Sequence, residues 1–320
     1  MDGRNYTSNT AKLLKHLPML HAMQTAKKVQ PVMIHLAPLN GCQISCKYCC
    51  YGSRSLKQSL TWEQVKYSLD SFATMGTKGL EFTGGGESTL WKRIGDAIAH
   101  AACLGYKIGL ITNALDFKNV LGRFPLLEWM RASFHGFNFG KSDVIDRNIK
   151  LAREDNPNLT ISGVYIWTAG SDLIYPEVAA YAEANKIPTR VTPDLTAGPA
   201  AIDAMMLHVG RAVADNPSSF TFLSDFNVQT TRAHDHCYMH MVKPFIFPDG
   251  WVYSCPSVGL TPESSKNVLD EFRVCRIEDI AEYYAKPAHV LPRSCQFCKY
   301  AQGNELIDNI LLPTTHNEFA

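Results

Sequence analysis

Cys42, Cys46 and Cys49 stand at C-x3-C-x2-C spacing, directly after the apolar run of residues 32–37. Gaps this short let one loop curl its thiolates around a single centre, and thiolates are the ligands that iron–sulfur clusters take. A complete cube asks for four sulfur ligands, and this loop at its tightest spacing offers three. One iron therefore stays open to bind something else, which suits chemistry at the cluster rather than electron storage. Cys50 opens a second register, Cys42, Cys46 and Cys50 at C-x3-C-x3-C. A C-x2-C pair is also a zinc-site signature.

Cysteines return late in the chain: Cys237, then Cys255 five residues after Gly250, then Cys295 and Cys298 as a second C-x2-C. Pro248-Asp249-Gly250 is a tight-turn signal, and a hairpin there is expected to bring Cys237 and Cys255 together. Four thiolates fit either a fully ligated cluster or a structural zinc site, and His234, His236 and His240 crowd Cys237 in favour of zinc. Cys103 and Cys275 have no partner at ligand spacing and read as buried thiols.

These residues need elements to hold them, and a strand-then-helix pattern starts at residue 31. Strands are expected over 31–39, 79–83, 107–112, 131–135, 159–167 and 188–195. The helices between and after them cover about 61–76, 91–103, 143–153, 176–185 and 202–214. Thr61 and Gln64 form a capping box at the first of these helices. Strands alternating with helices of this length pair in parallel through right-handed crossovers. Six units make an α/β fold, a partial (β/α)6 barrel, in residues 31–216. Loops after parallel strands open on one face, and the cysteine loop, Gly84-Gly85-Gly86-Glu87, Asn113 and the segment from Ser133 to His135 all fall there. The glycines are expected to allow positive φ and close approach of backbone to a ligand. His135 reads as structural before catalytic. Residues 1–30 form a helical extension that packs on the outside, and residues 217–320 a small cysteine-rich domain.

The 320 residues are 46% hydrophobic, enough for one large domain and a smaller one. A net charge of +1 asks for no nucleic-acid backbone and no anionic membrane as partner. Ten cysteines in grouped spacings argue for metal ligation in a reducing compartment over a disulfide framework. Neither a sustained apolar leader nor a membrane-length run is present, so a cytoplasmic location is expected.

C-x3-C-x2-C with Tyr48 just before the third cysteine resembles the signature of the radical S-adenosylmethionine (SAM) superfamily, and that pattern favours Cys49 over Cys50. The resemblance implies a [4Fe–4S] cluster on Cys42, Cys46 and Cys49 whose open iron chelates SAM, and it implies the same barrel. It places Gly85, Gly86 and Glu87 at the SAM amino group, although Ser88 stands where the family usually has proline. By the same resemblance Asn113 lies near the methionine end, Ser133 at the ribose or carboxylate, and Tyr48 against the adenine. The cysteines from Cys237 to Cys298 resemble the SPASM extension in its short Twitch form, which implies a second, auxiliary [4Fe–4S] cluster on Cys237, Cys255, Cys295 and Cys298. The implied activity is reductive cleavage of SAM and hydrogen abstraction from an unactivated C–H bond. Net oxidation assisted by the auxiliary cluster would make it dehydrogenase-like. The resemblance also admits rearrangement or modification of a nucleotide or peptide, and implies a low-potential donor such as flavodoxin or ferredoxin. The competing class is a non-catalytic electron-transfer or zinc-binding protein.

Overall fold

The computed structural model describes residues 10–52, 54–197, 199–223, 236–256, 268–292, 298 and 300–311. After a short 3-10 turn, α1 (Leu17–Thr25) precedes β1 (Met33–Leu36), and then come α2 (Trp62–Thr74), β2 (Gly79–Phe82), α3 (Ile94–Cys103) and β3 (Lys107–Thr112). β4 (Trp129–Ser133), α4 (Ser142–Asp155), β5 (Thr160–Trp167), α5 (Ser171–Asn185), β6 (Thr189–Pro193), α6 (Pro199–Asp215) and β7 (Thr221–Leu223) continue the alternation. The last part holds β8 (His236–Cys237), α7 (Met239–Val242), β9 (Phe245–Ile246), β10 (Trp251–Tyr253), α8 (Val268–Glu271), β11 (Arg273–Arg276), α9 (Ile280–Ala285), β12 (Leu291–Pro292) and α10 (Ala301–Leu311).

One ten-stranded sheet runs β11-β10-β9-β1-β2-β3-β4-β5-β6-β7. From β9 through β7 every pairing is parallel, and β9, β10 and β11 pair antiparallel. The six expected parallel strands are all present, and β9 and β7 extend the parallel run at its two ends, neither marked by the sequence pattern. Strand side chains alternate, so Ile34, Leu36, Leu80 and Phe82 face α2 and pack with Val65, Leu69 and Phe72. His35 and Glu81 then point the other way, into the barrel. α2 begins as expected: the Gln64 amide donates to Thr61 Oγ1 at 3.2 Å and the Thr61 amide donates to Gln64 Oε1 at 3.1 Å.

Three local expectations shift. β4 begins at Trp129, two residues early, because Gly109 on β3 leaves room for the indole; a Cβ there would overlap the ring. α5 begins at Ser171, not at Pro176: Ser171 Oγ accepts from the Thr168 amide at 2.9 Å and fixes the first turn ahead of the proline. Residues beyond 217 contribute β7, β9, β10 and β11 to the barrel's own sheet, while β8 and β12 form a two-stranded ladder apart from it. α1 buries Met19, Leu20 and Met23 and is tied to α10, where Gln24 Nε2 donates to the Ile310 carbonyl at 2.7 Å. No helix among the described residues is long and apolar enough to cross a membrane.

Candidate functional site

Chain leaving β1 is pinched into a loop by the Leu39–Ser59 bridge and by the Asn40 amide bonding the Gln58 carbonyl at 3.0 Å. Inside that neck, Cys49 N bonds Cys46 O at 3.2 Å and Gly52 N bonds Cys49 O at 2.8 Å, so successive turns curl the cysteine segment. Cys42, Cys46 and Cys49 are half-buried and line one cavity of about 570 Å3. That volume falls in the range of small-molecule sites. Burial pushes the Cys42 thiol up, and pushes Cys46 up to about 11, with the neighbouring cysteines adding to it. Arg54 stitches the loop. Its Nε donates to the Asn40 carbonyl at 2.8 Å, and Nη1 donates to the Tyr51 carbonyl at 2.7 Å and to Cys49 Sγ at 3.3 Å.

The Gly-rich turn after β2 closes on this loop from the side. The Gly86 amide donates to Leu39 O at 3.0 Å and the Glu87 amide to Gly41 O at 2.8 Å. None of Gly84, Gly85 and Gly86 takes positive φ, contrary to expectation. Their requirement is close approach instead: a Cβ on Gly85 would overlap the Asn40 side chain, and one on Gly86 the Gly41 carbonyl. Glu87 turns its carboxylate inward. Oε1 accepts from the Thr89 amide at 3.2 Å and the Thr89 hydroxyl at 2.9 Å, and Oε2 accepts from the Asn113 amide at 2.7 Å. Burial raises its carboxyl pKa, against those hydrogen bonds.

Asn113, at the end of β3, reaches the cysteine loop. Gln43 Nε2 donates to Asn113 Oδ1 and Asn113 Nδ2 donates to Gln43 Oε1, both at 3.2 Å, while Nδ2 also lies 3.7 Å from Cys42 Sγ. The next residue, Ala114, holds φ at +57°, a conformation costing roughly 1–2 kcal/mol for a residue with a Cβ. Two bonds hold it there: its amide to Thr112 Oγ1 at 3.0 Å, and its carbonyl accepting Asn148 Nδ2 at 2.9 Å. Ser133 ends β4 and lines the same cavity. His135 lies beyond the strand, in a 3-10 turn, and meets the Tyr48 ring edge-on at 4.9 Å between centroids. Burial lowers its pKa to about 4, so the imidazole is neutral. The Tyr48 hydroxyl is enclosed beside Cys46 and Asn138.

These features fit an iron–sulfur cluster with SAM: three thiols face one cavity, and glycines keep a backbone cradle open beside them. No set of three or more His, Cys, Asp or Glu among the described residues is arranged for a single metal ion. Cys50 is half-buried and also lines the cavity.

In the C-terminal part, the turn at 248–250 makes the expected hairpin, with Gly250 at φ +86° and β9 paired to β10. Cys255 follows that hairpin, but Cys237 sits on the other ladder, opposite Leu291. Asn304 on α10 links it toward Cys298, since Oδ1 accepts the Tyr238 amide at 2.9 Å and Nδ2 lies 3.9 Å from Cys298 Sγ. Cys295 and His234 lie outside the described residues. His236 Nε2 pairs with Asp308 at 2.8 Å, and the His240 ring meets Tyr283 edge-on at 6.1 Å and His289 at a tilt at 5.2 Å. Cys275 is buried as expected, whereas Cys103 is exposed because it ends α3 on the outward side.

Sequence reasoning passed over Gln43 and Arg54, which look like ordinary polar loop residues until the loop is folded. It also passed over His35, Glu81, Arg131 and Arg190, all lining the cavity. Their signal was present: single ionisable residues at inward positions of strands that otherwise read as apolar.

The family model described as "Radical SAM superfamily" matches residues 36–150, which hold the cysteine loop, the Gly-rich turn, Asn113 and Ser133. No curated protein matches in sequence. Among solved structures, Streptococcus suis SuiB bound to S-adenosylmethionine is 15% identical, covering 86% of this chain and 74% of that one at a TM-score of 0.55. SuiB bound to its precursor peptide SuiA matches at 16% identity, 83% and 70% coverage and the same TM-score. Native anSMEcpe with bound AdoMet and Kp18Cys peptide is 15% identical, covering 90% and 85% at 0.53. In fold the chain is thus similar to SuiB and anSMEcpe, and its residues 36–150 match the Radical SAM superfamily.

Proposed function

We propose that the protein is a radical SAM enzyme, with Cys42, Cys46 and Cys49 holding a [4Fe–4S] cluster and the rim holding SAM. The observation that carries this reading is that those three thiols, Gly85, Gly86, Glu87, Asn113 and Ser133 all line one cavity. When bound, the cluster and SAM supply an electron and a 5′-deoxyadenosyl radical, which takes a hydrogen atom from an unactivated C–H bond. The chain's own residues position and enclose. The Gln43–Asn113 amide pair locks the loop to β3, and Arg54 offers a positive donor to Cys49 Sγ. Glu87 ties the Gly-rich turn to the Asn113 backbone, and the glycines let a ligand approach main chain. Tyr48 and neutral His135 wall one side against water.

Cys237, Cys255, Cys295 and Cys298 are proposed to hold an auxiliary [4Fe–4S] cluster, whose contribution is one-electron transfer and hence a net oxidation of substrate. An external low-potential donor such as a flavodoxin or ferredoxin is part of the same proposal. Peptide modification is the second reading, favoured by the fold shared with SuiB and anSMEcpe, both solved with bound peptides.

Anaerobic reconstitution with iron and sulfide, then dithionite and SAM, tests the reading. Release of 5′-deoxyadenosine is expected, and its complete absence from protein carrying a reducible cluster refutes the proposal. Cys42→Ala is expected to abolish that release.

A further inference from the structure

Interiors of parallel barrels are ordinarily filled by layers of branched apolar side chains. Here a histidine and a glutamate lie side by side in that space. His35 on β1 and Glu81 on β2 are direct register partners, both turned inward, and both line the cavity that the cysteines line. His35 Nδ1 and Glu81 Oε1 bond across the two strands at 2.9 Å, and the side chains are only 6% and 12% exposed. Glu81 stands two residues before Thr83, which lines the same cavity, so the pair lies about 6–7 Å deeper than that level.

This bond fixes which atom of the ring is left over. Burial would raise the Glu81 carboxyl, yet His35, Arg131 and Lys243 hold it at about 2, so it is a carboxylate and can only accept. Nδ1 is then the donor. Nε2, at the edge of the ring far from its own strand, is the atom that remains to exchange a hydrogen bond. It is buried and has no hydrogen-bond partner among the described residues. A buried polar atom left in that state costs roughly 1–3 kcal/mol. Sheet neighbours do not relieve it: on the side of His35 away from Glu81 the register partner is Phe245, whose ring carries no donor or acceptor atom. The cations of this layer do not relieve it either. Lys243 sets its Nζ over the Tyr300 ring at 3.9 Å, and Arg131 and Arg190 have partners of their own, Nε2 not among them. What is left for Nε2 is the cavity.

We propose that His35 contacts the substrate, its Nε2 bonding a neutral hydroxyl group there, and that Glu81 is the positioning residue that aims the ring. A hydroxyl serves the ring in either protonation state through one atom: its O–H donates to a lone pair on Nε2, and its oxygen accepts from an N–H there. An ether or carbonyl oxygen only accepts, and an ammonium only donates. A hydroxylated molecule anchored at this depth leaves its other end directed up at the cysteine rim. The word substrate rests on the function proposed above; the hydroxyl contact itself does not.

NMR of the histidine ring nitrogens tests it, on the full, anaerobically reconstituted protein with the cluster oxidised and SAM saturating. Glycerol is the probe, and dimethoxyethane, which has no O–H, is the control. The His35 resonances are identified by their loss in His35→Gln or His35→Leu. Glycerol is expected to shift the His35 Nε2 resonance saturably, and further than the control does at equal concentration. Glu81→Gln is expected to move part of the ring proton from Nδ1 to Nε2 and to raise the glycerol half-saturation about tenfold. Equal shifts from glycerol and dimethoxyethane overturn the proposal, as does a Glu81→Gln protein with the wild-type tautomer and half-saturation. A shift produced by SAM alone, with no further response to glycerol, assigns the contact to a SAM hydroxyl and overturns the substrate assignment. Dithionite is then added to the same samples and 5′-deoxyadenosine is measured. Protein that releases none yet keeps the glycerol response refutes the radical reading and supports the hydroxyl contact; protein that releases it with no glycerol response refutes the contact.

Discussion

Arg54 reaches back over its own loop to put one guanidinium nitrogen 3.3 Å from Cys49 Sγ. Hydrogen bonds to the coordinating sulfurs are one of the levers that set cluster potential. Arg54→Met is therefore expected to retain iron and to shift the midpoint of the proposed N-terminal cluster to a more negative value, read by an EPR-monitored redox titration; an unmoved midpoint removes Arg54 from that role. His135 makes a prediction for the unloaded protein. Its imidazole is buried neutral with a pKa near 4 against an ordinary 6.5, so the unfolded chain takes up the proton first. Stability is then intact above about pH 6.5 and falls as pH drops toward 4, by up to about 3 kcal/mol. His135→Gln should flatten that stretch of a urea-midpoint curve, and an unchanged slope contradicts the assignment. Cysteine spacing made the N-terminal thiols legible from sequence, but the roles of Gln43 and Arg54 depend on which way a loop folds back, and no spacing rule reports that.

Elements with strong local signals were read well. Thr61 and Gln64 cap α2 as their spacing requires, and β3 and β5 lie within a residue of expectation, because capping and apolar runs are local physics. Thr61→Ala should cost about 1 kcal/mol in urea denaturation, with no change in iron content. Register was less legible. The start of β4 depends on a glycine one strand away, and α5 overrides its proline through a serine bond at its first turn. The Gly-rich turn was located correctly for a reason only half right: the close approach of the neighbouring loop, not positive φ, forbids side chains at Gly85 and Gly86. Gly86→Ala is expected to cost about 1–3 kcal/mol by overpacking against Gly41 and to reduce SAM binding measured by calorimetry. Retained stability and affinity would show that the turn can yield.

At the scale of the molecule, the sequence pattern separated a barrel from a cysteine-rich tail, and the structure joins them through one sheet. β9 pairs with β1, so C-terminal strands cover the edge of the strand that bears the cysteine loop. Changing Cys295 and Cys298 together to Ala is expected to leave roughly half the iron of a two-cluster protein while 5′-deoxyadenosine release persists; full iron would dispose of the auxiliary site. That late pairing also bears on how the chain comes off the ribosome. His35 meets Phe245, which is made 210 residues later. Contacts so distant along the chain form slowly, and an unpaired strand edge invites association in the meantime. Until Phe245 is made the thiol loop therefore hangs from a strand with one open side, and loading the proposed cluster before then would fill a half-built socket.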